Sequence, residues 1–136
     1  MKQYKIILVE NDEDEQFFMK QGFDAAGLFN IIAQVRNGDH LFDWMEAHQD
    51  NLPDIILSDL NMPGKNGYDI IREVRNSPSY RHIPVIITST SSTPVIMEKC
   101  LEMGAMAYLV KPDTFVEYEP YVRQLHKKIE DNTWVQ

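Results

Sequence analysis

A single cysteine, Cys100, stands among the 136 residues, so an internal disulfide is excluded. Its neighbours Met97, Leu101 and Met103 mark it as a small buried hydrophobe of a reducing compartment. The four histidines, His40, His48, His82 and His126, are scattered and form no paired zinc motif. Basic charge is also scarce. Thirteen Lys and Arg face 21 Asp and Glu for a formal net charge of -8, which argues against phosphate-backbone binding and direct nucleic-acid contact. No apolar run approaches the roughly 18 residues of a membrane span, and no basic-then-apolar leader precedes Lys5. The expectation is a cytoplasmic protein with no membrane segment. Repeats, low-complexity tracts and internal linkers are missing too, and only "DNTWVQ" after Glu130 looks loose. One domain over residues 1–130 is expected, with a tail at 131–136 that carries Trp134.

What the chain does contain is a regular alternation. Short apolar runs recur at Lys5–Val9, Ile31–Val35, Asp54–Ser58, Pro84–Thr88 and Ala107–Val110. Most are continuous rather than alternating, as strands covered on both faces are. Helix-period stripes lie between and after them: Leu41, Trp44 and Met45; Ile70, Ile71 and Val74; Ile96, Met97, Cys100 and Leu101; Tyr118, Val122, Leu125 and Ile129. The segment from Asp12 to Ala26 opens with acids suited to a helix N-terminus and closes at Gly27, a C-cap residue. Five strand–helix units in strict alternation predict an α/β domain, a parallel sheet with helices on both faces.

In an open parallel sheet the functional crevice lies outside the carboxyl ends of the strands. The residues following the runs are Glu10, Asn11 and Asp12 after the first, Asp59 after the third, Ser89 and Thr90 after the fourth, and Lys111–Pro112 after the fifth. Acids, a hydroxyl and an ammonium therefore converge on one edge. Oxygen donors of this kind suit a hard cation such as magnesium. A lysine supplies a mobile point charge for phosphate, and a carboxylate can take a phosphoryl group as an aspartyl phosphate. Asp59 is the natural acceptor, because the turn Met62–Pro63–Gly64 and Gly67 account for the loop that follows but not for the acid that begins it.

The segments "ILVEND", "DIILSDLNMPGKNGYD", "PVIITSTSS" and "GAMAYLVKP" resemble the response-regulator receiver domain, the phosphoacceptor half of two-component signalling. The separations of Asp59, Ser89 and Lys111 along the chain also fit that family. The resemblance implies a flavodoxin-like, doubly wound (βα)5 fold with a five-stranded parallel sheet of order 2-1-3-4-5. It implies phosphorylation on Asp59, and a Mg2+ or Mn2+ ion held by Glu10, Asn11, Asp59 and the backbone carbonyl of Asn61. Ser89 and Lys111 match the hydroxyl and amine that meet the phosphoryl group. Tyr108 matches the aromatic switch that moves with Ser89, and Lys111–Pro112 matches a cis peptide. A histidine kinase or histidine phosphotransfer protein is the implied donor. The implied output is a changed surface of the last two helices and last strand that binds a downstream protein or a second copy as a homodimer. No enzyme activity beyond slow self-dephosphorylation is implied.

One residue departs from the family's pattern. Asn11 stands where an aspartate usually touches the metal, and a lost charge pair at about 4 Å is worth roughly 4 kcal/mol gross at an effective dielectric near 20. Weaker magnesium binding follows, unless Asp12 turns inward to replace the acid. Two other readings stay open: a receiver-like interaction module that is never phosphorylated, and an aspartyl-phosphate hydrolase. The hydrolase would want an acid where Asn61 stands. Phe17 and Phe18, about 100° apart on one helix, cannot both face a core, which leaves one to meet a partner.

Overall fold

The computed structural model describes residues 3–112 and 118–131. Five strands, β1 (Tyr4–Val9), β2 (Phe29–Val35), β3 (Ile55–Asp59), β4 (Val85–Ser89) and β5 (Ala107–Val110), form one sheet of order β2-β1-β3-β4-β5. Every pairing is parallel. Five helices alternate with them: α1 (Glu13–Ala26), α2 (Gly38–Ala47), α3 (Gly67–Asn76), α4 (Pro94–Met103) and α5 (Tyr118–Asp131). A 3-10 turn at Gln49–Asn51 follows α2. The fold is thus the flavodoxin-like doubly wound sheet that the resemblance implied.

The continuous apolar runs divide between two faces because successive strand side chains point opposite ways. Ile7, Val9, Ile56, Val85 and Ile87 pack with Leu41 and Met45 of α2, Ile70, Ile71 and Val74 of α3, and Cys100 of α4. Ile6, Leu8, Ile55, Leu57 and Ile86 pack on the other face with Met19 and Phe23 of α1 and with Tyr118, Val122 and Leu125 of α5. Each such aliphatic side chain contributes about 1.5–3 kcal/mol on burial. The α4 stripe is the weakest: Cys100 is its sole fully buried member, while Ile96, Met97 and Leu101 are half-buried. Trp44 is also only half-buried, stacked on His48 at 4.0 Å between ring centroids.

The helix ends obey capping chemistry. The Asp12 carboxylate accepts from the Glu15 N–H at 3.0 Å, and Gly27 closes α1 at φ 68°, the left-handed conformation that glycine adopts without strain. Asn66 and Asp69 form a reciprocal capping box at the start of α3. The helix α5 runs one residue past the expected domain boundary, to Asp131. The expected tail beyond it, Trp134 included, lies outside the described residues.

Candidate functional site

The C-terminal ends of β1, β3, β4 and β5 deliver their polar residues to one edge of the sheet. Asp59 closes β3 in register with Thr88 of β4, and Ser89 closes β4 in register with Val110 of β5. The Lys111 N–H then donates to the Ser89 carbonyl at 2.8 Å, carrying the sheet register one residue past β5 and setting the lysine beside the rim.

The Lys111 ammonium is the hub. Its Nζ lies 2.8 Å from Glu10 Oε1, 3.3 Å from Asp59 Oδ1 and 3.6 Å from Glu15 Oε1. The lysine side chain is 7% exposed and that of Asp59 15%, so the cluster is sheltered while the acid at β3 stays within reach of solvent. Burial raises the Glu10 carboxyl above its ordinary range and outweighs the opposing hydrogen bond and charge of Lys111. Burial raises Asp59 in the same way. For Lys111 burial works to depress the ammonium, but the Glu10 hydrogen bond and the charges of Asp59, Glu10 and Glu15 prevail and hold it protonated.

Around the hub the loops are tied down. The second Glu10 oxygen accepts from the Asp12 N–H at 3.2 Å, and the Gln16 side-chain amide donates to the Glu10 carbonyl. Ser89, buried, accepts at Oγ from the Ser91 N–H at 3.2 Å. The Tyr108 hydroxyl donates to the Ser91 carbonyl at 2.8 Å, so the aromatic ring at β5 and the hydroxyl at β4 meet through a single loop residue. Gly67 explains the second glycine of the β3–α3 loop. Its N–H donates to the Leu60 carbonyl at 2.8 Å, and a Cβ there would stand 2.9 Å from both the Asp59 carbonyl and Leu60 Cα.

The structure therefore gathers Glu10, Asp59 and Lys111 in direct contact, with Ser89 at the adjoining strand end. Two expectations are corrected. Asp12 does not turn inward; its carboxylate is engaged as the α1 N-cap, where an orphan backbone N–H binds it. The Lys111–Pro112 bond is trans, as no cis peptide occurs among the described residues; trans is the lower-energy isomer before proline too. Asn11 is exposed and neutral, and among the described residues no three His, Cys, Asp or Glu side chains are clustered as a metal site.

Sequence reasoning missed Glu15 and Tyr118. As one of the acids that open α1, Glu15 suits the helix dipole, yet its carboxylate reaches Lys111 and also accepts from the Tyr118 hydroxyl. No local signal marked it, because Glu15 shares the first turn of α1 with Glu13 and Asp14, all three suited to the helix N-terminus. A second buried tyrosine, Tyr121, shares a 2.6 Å hydrogen bond with Thr88, beside Ser89. Burial, opposed by that bond, pushes its hydroxyl up to about 12.

A parallel doubly wound sheet with carboxylates and one ammonium at its C-terminal edge defines the flavodoxin-like α/β class. Within it the chain belongs to the response-regulator receiver-domain family, whose model matches residues 6–122. It is 25% identical over 123 residues to the probable methanogenesis regulatory protein FilR2 of Methanothrix harundinacea (strain 6Ac), covering 88% of this chain and 79% of that one. It is 43% identical over 63 residues to the two-component response regulator ORR12 of Oryza sativa subsp. japonica, covering 46% and 52%. The chain thus spans most of the first of these relatives and about half of the second. Among solved structures, response regulator RPA3017 in red light signaling of R. palustris superposes with a TM-score of 0.81 at 26% identity, covering 92% of each chain. No helix of the described residues is long and apolar enough to cross a membrane.

Proposed function

We propose that Asp59 is a phosphoacceptor that takes its phosphoryl group from a phosphohistidine donor, a histidine kinase or histidine phosphotransfer protein. The observation that carries this reading is the Lys111 ammonium 3.3 Å from a solvent-reachable Asp59 carboxylate. In the transfer, the Asp59 oxygen forms a bond to phosphorus as the phosphorus–nitrogen bond breaks, and the imidazole keeps the electron pair and takes up a proton. Lys111 neutralises the negative charge gathered at the acceptor, and Glu10 orients it from below. Ser89 supplies a hydroxyl to a phosphoryl oxygen. As Lys111 and Ser89 are drawn toward the new dianion, the Ser91 loop shifts and Tyr108 moves with it, changing the α4–β5–α5 surface offered to a downstream protein or a second copy.

The donor set fits a hard divalent cation, Mg2+ or Mn2+, because every candidate ligand is an oxygen: Glu10, Asp59, the Asn11 amide and the Asn61 carbonyl. When bound, such an ion supplies positive charge to the transferring phosphoryl oxygens. With Asn11 neutral and Asp12 committed to the cap, the affinity is lower than with a second aspartate; Asn11→Asp raises it. The unit carrying this activity is residues 1–130, acting in the cytoplasm.

Incubation with a small phosphodonor and magnesium, followed by intact mass, tests the reading. One stable phosphoryl adduct, lost in Asp59→Asn, is expected. No adduct in the wild type favours the second reading, a receiver-like module that is never phosphorylated, for which the neutral, exposed Asn11 speaks. Steady turnover of the donor without adduct supports the hydrolase instead.

A further inference from the structure

Glu15 has no place in the scheme above, yet it is built into the site. It lies on the first turn of α1, its side chain about one-fifth exposed, with one carboxylate oxygen 3.6 Å from Lys111 Nζ. The other oxygen accepts from the hydroxyl of Tyr118, the buried first residue of α5. Its own N–H is held by the Asp12 carboxylate. A first-turn acid that served only the helix dipole would stand in water, as Glu13 and Asp14 do. Glu15 is instead fixed at both ends, between the lysine of the rim and the seam where α1 meets α5.

We propose that Glu15 is a positioning residue for Lys111, held by Tyr118, and that it restores to the rim the negative charge absent at Asn11. The proposal rests on the reading of Asp59 and Lys111 as the phosphoacceptor rim. With Glu10 and Asp59 alone, the ammonium would sit wholly between the two carboxylates where a divalent cation must bind. A third acid, 3.6 Å from Nζ, competes for the ammonium and weakens its hold on those oxygens. Removing the Glu15 charge therefore acts in one direction twice: Lys111 is held more firmly by the cation's ligands, and the rim loses a negative charge. The contacts of Lys111 support this assignment: Glu15 Oε1 lies 3.6 Å from Nζ while its other oxygen is held by the Tyr118 hydroxyl, so the third acid is fixed within reach of the ammonium.

The test compares wild type, Glu15→Gln, Tyr118→Phe, Asn11→Asp and the Asn11→Asp/Glu15→Gln double variant as full chains. Mg2+ affinity is read by calorimetry, and the Lys111 side-chain resonances by NMR without metal. Glu15→Gln should bind Mg2+ about three- to tenfold more weakly, an effect on the scale of one partly exposed charge contact. The Lys111 resonances should shift, and the added acid of the double variant should recover the lost affinity. Tyr118→Phe, which keeps the charge but frees the carboxylate, should move the same resonances by a smaller amount. It also serves if Glu15→Gln does not fold. Unchanged Mg2+ affinity and unmoved Lys111 resonances in Glu15→Gln would overturn the proposal, as would a double variant no better than Glu15→Gln. Absence of any Asp59 adduct in the wild type, with the Lys111 response intact, would remove the phosphoacceptor reading and leave the positioning of Lys111 standing.

Discussion

Lys111 is the residue on which the rim's electrostatics turn. Three carboxylates surround one ammonium, and burial already disfavours the charged forms of Glu10 and Asp59. Deleting the ammonium leaves these acids mutually repelling, whereas deleting one acid leaves two partners for the lysine. Breaking a fully buried pair costs about 3–5 kcal/mol, and the partial opening of Asp59 to water lowers that figure. Lys111→Met should therefore lose about 2 kcal/mol in urea unfolding, and saturating Mg2+ should recover part of the loss by supplying the missing positive charge. A variant as stable as wild type without metal would mean that water, not the lysine, neutralises the rim. The same scale decides between the two roles the sequence left open for Asp12. Its acidity suited it equally to a cation and to a helix N-terminus, and the orphan N–H groups of α1 decide the matter at no cost in desolvation.

At the scale of elements, the aim of Asp59 depends on how the β3–α3 loop is locked. Gly67 closes onto the Asp59 and Leu60 backbone, and the Asn66–Asp69 capping box fixes the first turn of α3 immediately behind it. Asp69 lies below its ordinary carboxyl range, first because it accepts from the Asn66 N–H and then through the Arg72 guanidinium. A depressed folded-state value means stability that is present above the unfolded carboxyl range and lost as pH falls through the lower folded-state value. Asp69→Asn should thus be about 0.5–1 kcal/mol less stable than wild type near pH 7, and the difference should shrink as the acid titrates. A pH-independent difference would assign the loss to packing. Much of this level was legible in the chain. All five strands followed from apolar runs of the right length, and α1 was bounded correctly by Asp12 and Gly27 because capping chemistry is local. The α4 stripe was harder, since its apolar residues are half-buried on a helix with Val95 exposed, so periodicity overstated the core there. The Glu15–Tyr118 link lay beyond sequence reasoning because it joins α1 to α5 across 103 residues.

For the whole molecule, the sheet separates two cores and leaves one charged edge, so chemistry at the rim can reach helices on either face. Phe17, 56% exposed on α1, stacks edge-on with the half-buried Phe18 and offers apolar surface beside that edge. Phe17→Ala should slow phosphotransfer from a phosphohistidine partner several-fold while changing stability by no more than about 0.5 kcal/mol, as exposed substitutions do. An unchanged transfer rate would place the docking surface elsewhere. The family's fold and rim could be read from four segments of sequence because each strand end carries its functional residue within one or two positions of an apolar run. The central claim is that the carboxylate at the end of β3 is the group that accepts phosphate. Trapping the adduct after incubation with phosphodonor and magnesium, then mapping it by tandem mass spectrometry, tests that claim at the atom concerned. The account predicts the modification on Asp59 and nowhere else; a modification on another residue, or its persistence in Asp59→Asn, would contradict it.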